Sequence, residues 1–191
     1  MTKTILYFHG FKSSSESSKA QEFKNFISRY TKNTEIIIPD LDNNFEKAHL
    51  QIEKLISDNG PEILFMGSSL GGYSALYYAQ IHKVKTVLIN PAIPPLNDFD
   101  IYLGENENYA TGEKFIITKD DISFIRSLHH TKIKNSENIL VLLESGDEIL
   151  DYIETTSYFR ASYIDIVYGG DHSYASLKSK HNKIVNFLKI T

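Results

Sequence analysis

The sequence contains no cysteine in its 191 residues, so disulfide bonds and thiolate metal sites are excluded. It also lacks any long apolar run. Four apolar residues precede His9, whereas a signal peptide needs about 7–15 apolar residues and a transmembrane helix about 18 or more. We therefore expect a protein that neither spans nor crosses a membrane, with the cytoplasm as its compartment.

Positive charge is neither abundant nor clustered, since 20 Lys and Arg residues accompany 24 Asp and Glu residues. The net charge of -4 argues against a nucleic-acid partner. No spacing of His, Asp and Glu predicts a metal site. The one glycine-rich turn, Gly67–Gly72, lacks the Gly-x-Gly-x-x-Gly spacing and a phosphate-binding lysine. We expect neither a metal nor a nucleotide cofactor.

Short apolar runs alternate with segments of helical periodicity along most of the chain. This alternation is typical of a parallel sheet with helices on both faces, and the length fits one domain over residues 1–191. A capping box in Ser13–Glu16 predicts the start of the first helix. The fold predicted is a three-layer α/β fold with a parallel six-stranded sheet. The predicted strands are Thr4–Phe8, Glu35–Ile38, Ile63–Met66, Thr86–Ile89, Ile139–Leu143 and Tyr163–Val167.

The alternation breaks at about residues 91–135, where Pro91, Pro94 and Pro95 disfavour regular structure. An irregular stretch of this length inside a compact domain is usually functional. We expect a short lid insertion whose aromatic and aliphatic side chains line a substrate pocket.

Between the third strand and the next helix lies the pentapeptide Gly67-Ser68-Ser69-Leu70-Gly71, a Gly-x-Ser-x-Gly motif. A sharp turn from strand to helix holds the central residue in a strained conformation, and the flanking glycines avoid collision. This motif predicts the nucleophile elbow of an α/β-hydrolase, with Ser69 as nucleophile. Ser68 offers a second hydroxyl, although the elbow geometry favours Ser69.

A serine hydroxyl needs a general base, which in turn needs an orienting acid. On this fold the chain order is serine, acid, histidine, and His172 and His181 are the histidines that satisfy it. His172 follows the sixth strand in a glycine-containing loop and is the predicted base. His181 lies inside a helix rich in lysine and serine, where we expect a surface residue.

The acid is expected after the fifth strand, in the segment from Glu144 to Asp151. Asp147 follows a turn containing Gly146 and is the predicted orienting acid. Asp151 is the alternative, although its charge also suits the start of the next helix. Glu148 is expected to face solvent.

Two backbone N–H groups are expected to stabilise an oxyanion. One belongs to Leu70, directly after the nucleophile, and the other to Phe11, in the loop after the first strand. Gly10 would let this loop approach the reaction centre. His9 ends the first strand and is interpreted as a structural residue beneath the loop.

With these residues in place, the chain resembles the YqiA-like esterases, a family of small α/β-hydrolases. The resemblance covers almost the whole chain. It rests on Tyr7–Ser14, Ser18–Ala20, Gly67–Tyr73, Asn90–Ala92, Tyr102–Asn108, Thr111–Gly112, Gly146–Tyr152 and Gly169–His172.

The resemblance implies a serine esterase that hydrolyses carboxylic esters, and acyl-thioesters as a second class, without a cofactor. It implies that Ser69 is the nucleophile, His172 the base and Asp147 the acid. An acyltransferase or a small serine peptidase would use the same residues, and a non-catalytic binding protein would retain the fold alone. A small-molecule substrate is the expected partner, and the sequence leaves the oligomeric state open.

Overall fold

Six parallel strands form the central sheet of the structure, a computed structural model that describes residues 2–191. They are β1 (Lys3–Phe8), β2 (Thr34–Ile37), β3 (Ile63–Ser68), β4 (Thr86–Ile89), β7 (Ile139–Glu144) and β8 (Tyr163–Val167). Two further strands, β5 (Gly104–Glu107) and β6 (Lys114–Ile117), form an antiparallel hairpin. The order across the sheet is β2-β1-β3-β4-β7-β8, which confirms the predicted parallel six-stranded sheet.

Helices cover both faces of this sheet. The helices are α1 (Ser18–Tyr30), α2 (Phe45–Asn59), α3 (Leu70–His82), α4 (Lys119–Ser127), α5 (Tyr152–Tyr158) and α6 (Leu177–Leu188). Apolar side chains of α1 and α6 share one core cluster with the sheet, and those of α2, α3 and α5 share another. The chain therefore has the predicted three layers. Among residues 2–191, no helix is long and apolar enough to cross a membrane.

Strand β1 shows why the central strands are continuous apolar runs. Ile5 and Tyr7 belong to the cluster under α1 and α6, whereas Leu6 and Phe8 belong to the cluster on the opposite face. All four side chains are buried. Because both faces of a parallel sheet are covered, successive positions along the middle of such a strand are apolar rather than alternating with polar ones.

The predicted start of α1 was wrong. The helix begins at Ser18, with Ser17 as its N-cap, rather than at the expected capping box in Ser13–Glu16. The Ser14 hydroxyl accepts the Glu16 N–H at 3.2 Å, so it closes a local turn. The Ser15 N–H donates to Asp40 at 2.7 Å, which holds this turn outside the helix.

The segment 91–135 is more regular than predicted, because the prolines affect only its beginning. It contains the β5–β6 hairpin and α4, whose capping box joins Thr118 and Asp121. Buried Ile117, Ile122 and Ile125 join a third apolar cluster with residues of α2 and α3. The segment is therefore anchored to the rest of the domain through its own apolar residues.

The prediction that His181 lies at the surface was also wrong. His181 is 6% exposed, and its ring centroid lies 5.3 Å from that of Phe23 and 4.5 Å from that of Phe26. The ring therefore lies in the contact between α1 and α6. Its Nε2 is buried and has no hydrogen-bond partner within residues 2–191, and burial lowers the pKa of His181.

We predict that the His181→Leu variant loses less stability than the wild type when the solution becomes mildly acidic. Below about pH 6.5 the unfolded chain protonates this histidine more readily than the folded protein does, because burial lowers the folded-state pKa. The free energy of unfolding therefore falls as the pH drops through this window. Urea denaturation at about pH 7.5 and about pH 5.5 measures the difference.

The matched control is His82→Gln, which changes an exposed histidine. It should retain the wild-type pH dependence. Equal pH dependence in His181→Leu and the wild type would contradict the proposed cost of protonating His181.

Candidate active site

Ser69 occupies a strained turn between β3 and α3. Its backbone has φ 54° and ψ −124°, a conformation that non-glycine residues rarely adopt. A Cβ on Gly67 would collide with the Gly71 carbonyl, and a Cβ on Gly71 would collide with the Phe8 carbonyl. The two glycines thus allow the helix to start directly against the strand ends. The predicted elbow conformation is present.

The side chains of Ser69, His172 and Asp147 form one hydrogen-bonded chain. The His172 Nε2 lies 3.0 Å from the Ser69 Oγ, and its Nδ1 lies 2.8 Å from the Asp147 Oδ2. The Asp147 side chain is 2% exposed, and that of His172 is 19% exposed. An imidazole between a hydroxyl and a buried carboxylate can accept the hydroxyl proton while the carboxylate stabilises its charge.

The Asp147 carboxylate is fixed by backbone donors as well as by His172. Its Oδ1 accepts the N–H groups of Ile149 at 2.9 Å and Leu150 at 2.8 Å. The alternative acid, Asp151, accepts the Ile153 N–H at 2.7 Å and caps α5 instead. Asp147 is therefore the carboxylate that contacts the imidazole.

The loop that carries His172 is hydrogen-bonded to a buried carboxylate, Glu144, at the end of β7. Glu144 is 0% exposed. Its Oε2 accepts the Asp171 N–H at 2.8 Å, and its Oε1 accepts the Ser176 N–H at 2.9 Å. The loop is thus hydrogen-bonded to Glu144 on both sides of His172.

Asn90, directly after β4, connects the same loop to the neighbouring strand. Its Nδ2 donates to the carbonyls of Asp171 at 3.0 Å and His172 at 3.3 Å. Its Oδ1 accepts the Glu144 N–H at 3.0 Å. Glu148, expected to face solvent, is exposed but also accepts the His172 N–H at 3.0 Å. Sequence reasoning gave none of these residues a role in holding the loop.

The two predicted oxyanion donors lie beside the elbow. Within residues 2–191, neither the Leu70 N–H nor the Phe11 N–H donates a hydrogen bond to another protein group. A Cβ built on Gly10 would lie 3.3 Å from the Ser69 Cβ, so the Phe11 loop approaches the turn closely. Both amides are thus free to bind a ligand oxygen.

His9 connects the Phe11 loop to the segment that follows β2. Its Nδ1 lies 2.9 Å from the Gly10 carbonyl oxygen, and its Nε2 accepts the Leu41 N–H at 3.4 Å. These two contacts suit a neutral ring that carries its proton on Nδ1. Burial lowers the pKa of His9, which favours the same neutral form.

The hydrogen-bonded chain opens into a groove of about 1050 Å³. Ser69, Leu70 and His172 line this groove. Aromatic and aliphatic residues from the 91–135 segment also line it, among them Pro95, Leu96, Phe99, Ile101, Tyr102 and Tyr109. The groove therefore combines apolar side chains of this segment with the polar groups around Ser69.

Phe11 connects the oxyanion loop to the 91–135 segment. Its ring centroid lies 5.3 Å from that of Phe99, 5.0 Å from that of Tyr102 and 5.9 Å from that of Phe115. The adjacent Lys12 carbonyl accepts the Tyr109 N–H at 2.9 Å. The segment and the oxyanion loop thus form one packed unit.

Within residues 2–191, no cluster of His, Cys, Asp and Glu could hold a metal ion.

The order of the six parallel strands, with helices on both faces of the sheet, gives the chain the α/β-hydrolase fold. Solved structures with this fold include Est1E from Butyrivibrio proteoclasticus with bound ferulic acid, at a TM-score of 0.75 and 14% identity, covering 98% of this chain and 88% of that one. They also include mouse alpha/beta hydrolase domain-containing protein 10, at a TM-score of 0.74 and 18% identity, covering 99% and 90%. A monoacylglycerol lipase from Paleococcus ferrophilus has a TM-score of 0.70 at 16% identity, covering 98% and 95%.

The chain belongs to UPF0227, described as an uncharacterised protein family, whose model matches residues 4–189. Relatives include the UPF0227 protein YcfP of Escherichia coli O9:H4 (strain HS), 25% identical over 172 residues and 89% of each chain. A UPF0227 protein of Vibrio parahaemolyticus is 27% identical over 192 residues, covering 98% of this chain and 99% of that one. Membership in this family confirms the resemblance predicted from the sequence.

We predict that Glu144→Gln loosens the loop that carries His172. The substitution replaces an acceptor oxygen by an amide NH₂, which cannot accept a backbone N–H. A buried donor left without a partner costs about 1–3 kcal/mol of unfolding free energy. Urea denaturation measures this loss, and faster hydrogen exchange of the Asp171 and Ser176 amides would locate it.

Glu137→Gln is the control, because Glu137 is exposed just before β7. It should leave both measurements near wild type. Wild-type stability and exchange in Glu144→Gln would show that this carboxylate does not hold the loop.

Proposed function

We propose that the protein is a serine esterase that hydrolyses carboxylic esters through an acyl-enzyme. The observation that carries the proposal is the position of the His172 ring, 3.0 Å from the Ser69 hydroxyl and 2.8 Å from the Asp147 carboxylate. Such a chain of contacts activates a serine hydroxyl, which is a weak nucleophile by itself.

In the proposed reaction, Ser69 attacks the ester carbonyl while His172 Nε2 takes the hydroxyl proton. Asp147 holds the ring through Nδ1 and stabilises the imidazolium. His172 then protonates the leaving alcohol, and the acyl group remains on Ser69. Water, deprotonated by His172, attacks the acyl-enzyme, and the acid leaves as Ser69 regains its proton.

In the proposed mechanism, the backbone N–H groups of Leu70 and Phe11 stabilise the negative charge that develops on the carbonyl oxygen. Neither amide has a protein acceptor within residues 2–191. The Leu70 amide also lies at the N-terminus of α3, where the helix dipole favours an anion. Donors that are in place before the reaction stabilise the transition state at little reorganisation cost.

The 91–135 segment is proposed to act as a short lid over the substrate. Its apolar side chains line the groove beside Ser69, which suits the hydrocarbon part of an ester. Two structures with this fold are consistent with ester substrates, namely Est1E with bound ferulic acid and a monoacylglycerol lipase. A thioester presents the same carbonyl to Ser69, so acyl-thioesters belong to the same proposed class.

We predict that Ser69→Ala abolishes hydrolysis of p-nitrophenyl esters and labelling by a fluorophosphonate probe. The thermal unfolding midpoint should remain nearly unchanged, because the substitution removes only one hydroxyl. A chromogenic assay, gel fluorescence of the probe and a thermal scan provide the three measurements.

Ser68→Ala identifies the reacting hydroxyl and should still be labelled, since the Ser68 hydroxyl contacts Lys19 rather than His172. Full turnover by Ser69→Ala would overturn the esterase proposal. If labelling were lost in Ser68→Ala but kept in Ser69→Ala, the reacting hydroxyl would be that of Ser68, and the assignment of Ser69 would be wrong.

We predict that Asp147→Asn lowers kcat by about 10³–10⁴-fold, because an amide no longer stabilises the imidazolium or its correct tautomer. Asp151→Asn is the matched variant, and asparagine also serves as an N-cap. It should keep kcat within a few-fold of wild type. Steady-state kinetics on one neutral ester measures both, and a larger loss in Asp151→Asn would refute the assignment of Asp147.

A further inference from the structure

Lys19 places a cation in the same groove as Ser69. It lies in the first turn of α1, and its Nζ donates to the Ser68 Oγ at 3.0 Å. Lys19, Ser68, Ser69 and His172 all line the groove. The ammonium is therefore bonded to the residue that precedes the proposed nucleophile.

Lys19 has no counter-ion in the part of the chain that the structure describes. Within residues 2–191, no carboxylate oxygen lies within 4.0 Å of its Nζ. Lys180 provides the contrast, because its side chain is 17% exposed and its Nζ lies 2.8 Å from Asp165. A partly buried cation without a paired anion is costly, because it loses hydration without compensation.

The carboxylates whose charges act on Lys19 are already bonded to other donors. Glu144 accepts the Asp171 and Ser176 amides, and Asp147 accepts from His172 and from two backbone amides. Asp171 accepts the Ser173 hydroxyl. An ammonium has three protons and Ser68 accepts one, so Lys19 can donate two more hydrogen bonds to a molecule in the groove.

The charge of Lys19 is sensitive to its surroundings. Burial lowers the pKa of Lys19 to about 8, and the negative charges of Glu144, Asp171 and Asp147 oppose this shift. Lysine is thus still mostly protonated near neutral pH. An anion in the groove would supply the pairing that the protein itself does not.

We propose that Lys19, together with the Ser68 hydroxyl, binds an anionic group of the substrate, so that the preferred esters carry a carboxylate near the scissile bond. This inference rests on the proposed esterase function. The carboxylate belongs either to the acyl part or to the leaving group, and both present the same chemistry to Lys19. The subsite would select charged esters in a groove that apolar side chains also line.

The test compares matched pairs of esters. For the acyl part, mono-p-nitrophenyl adipate is compared with p-nitrophenyl hexanoate. For the leaving group, p-butyryloxybenzoate is compared with its methyl ester. The quantity measured is the ratio of kcat/KM for the charged ester to kcat/KM for its neutral partner, which cancels any general loss of active protein.

We expect Lys19→Met to lower this ratio by about tenfold or more for one of the two pairs, because one lost ionic contact changes affinity by about this factor. The pair that responds identifies the part of the substrate that carries the anion. Lys19→Arg keeps the charge and should retain most of the preference. Lys24→Met changes an exposed lysine of the same helix and should leave the ratio at the wild-type value.

The pH dependence gives a second readout. Above about pH 8 the wild-type ratio should fall as Lys19 loses its proton, whereas the ratio in Lys19→Arg should stay level. The other charged groups that act on Lys19 are Glu144, Asp147 and Asp171. The remaining charged or titratable groups line the same groove, and they are His9, His172, Lys12, Glu22, Asp98, Asp151, Glu154, Tyr7, Tyr102, Tyr109 and Tyr174. They are the same in both proteins, so the comparison isolates residue 19.

An unchanged ratio in Lys19→Met for both pairs would overturn the subsite. A proportional loss for charged and neutral esters would overturn it too, and would leave Lys19 as a positioning residue only. Failure of the esterase function is distinguishable from both results, since the wild type would then hydrolyse neither member of either pair in a Ser69-dependent manner.

Discussion

The close approach of β3 and α3 is the constraint on which the rest of the site depends. At Gly67 and Gly71 the two backbones leave no space for a Cβ, and Gly71 also lies against the carbonyl of Phe8 in β1. This contact fixes the start of α3 over two strand ends. It also forces Ser69 into a backbone conformation with φ 54°, which the surrounding packing must stabilise. The hydroxyl, the free Leu70 amide and the helix dipole are consequently aligned by the same contact.

A pair of buried polar side chains also holds the site in place. The parallel sheet brings the ends of β4 and β7 together, so that Asn90 and Glu144 lie side by side beneath the His172 loop. A buried carboxylate is costly unless its oxygens are hydrogen-bonded, and here backbone amides of the loop satisfy them. The same bonds that compensate Glu144 hold the imidazole near Ser69. Stability and geometry of the loop are thus linked through one side chain.

Much of this arrangement could be predicted from the sequence, because its signals are local. The motif around Ser69, the position of Asp147 after a strand and the glycine loop before His172 each carry a recognisable pattern. Glu144 does not, since its partners are backbone amides 27 and 32 residues away. His181 was misjudged from its lysine-rich neighbours, although its spacing from Leu177, Ile184 and Leu188 places it on the apolar face of α6.

The ring of Phe11 has a consequence for how such a site can diversify. This residue supplies a proposed oxyanion amide through its backbone, while its side chain packs against Phe99, Tyr102 and Phe115 of the segment that shapes the groove. A change of ring size in that segment, made to admit a different substrate, would shift the aromatic cluster and with it the amide. In the proposed mechanism, selectivity and turnover are therefore traits that evolution must adjust together rather than one at a time.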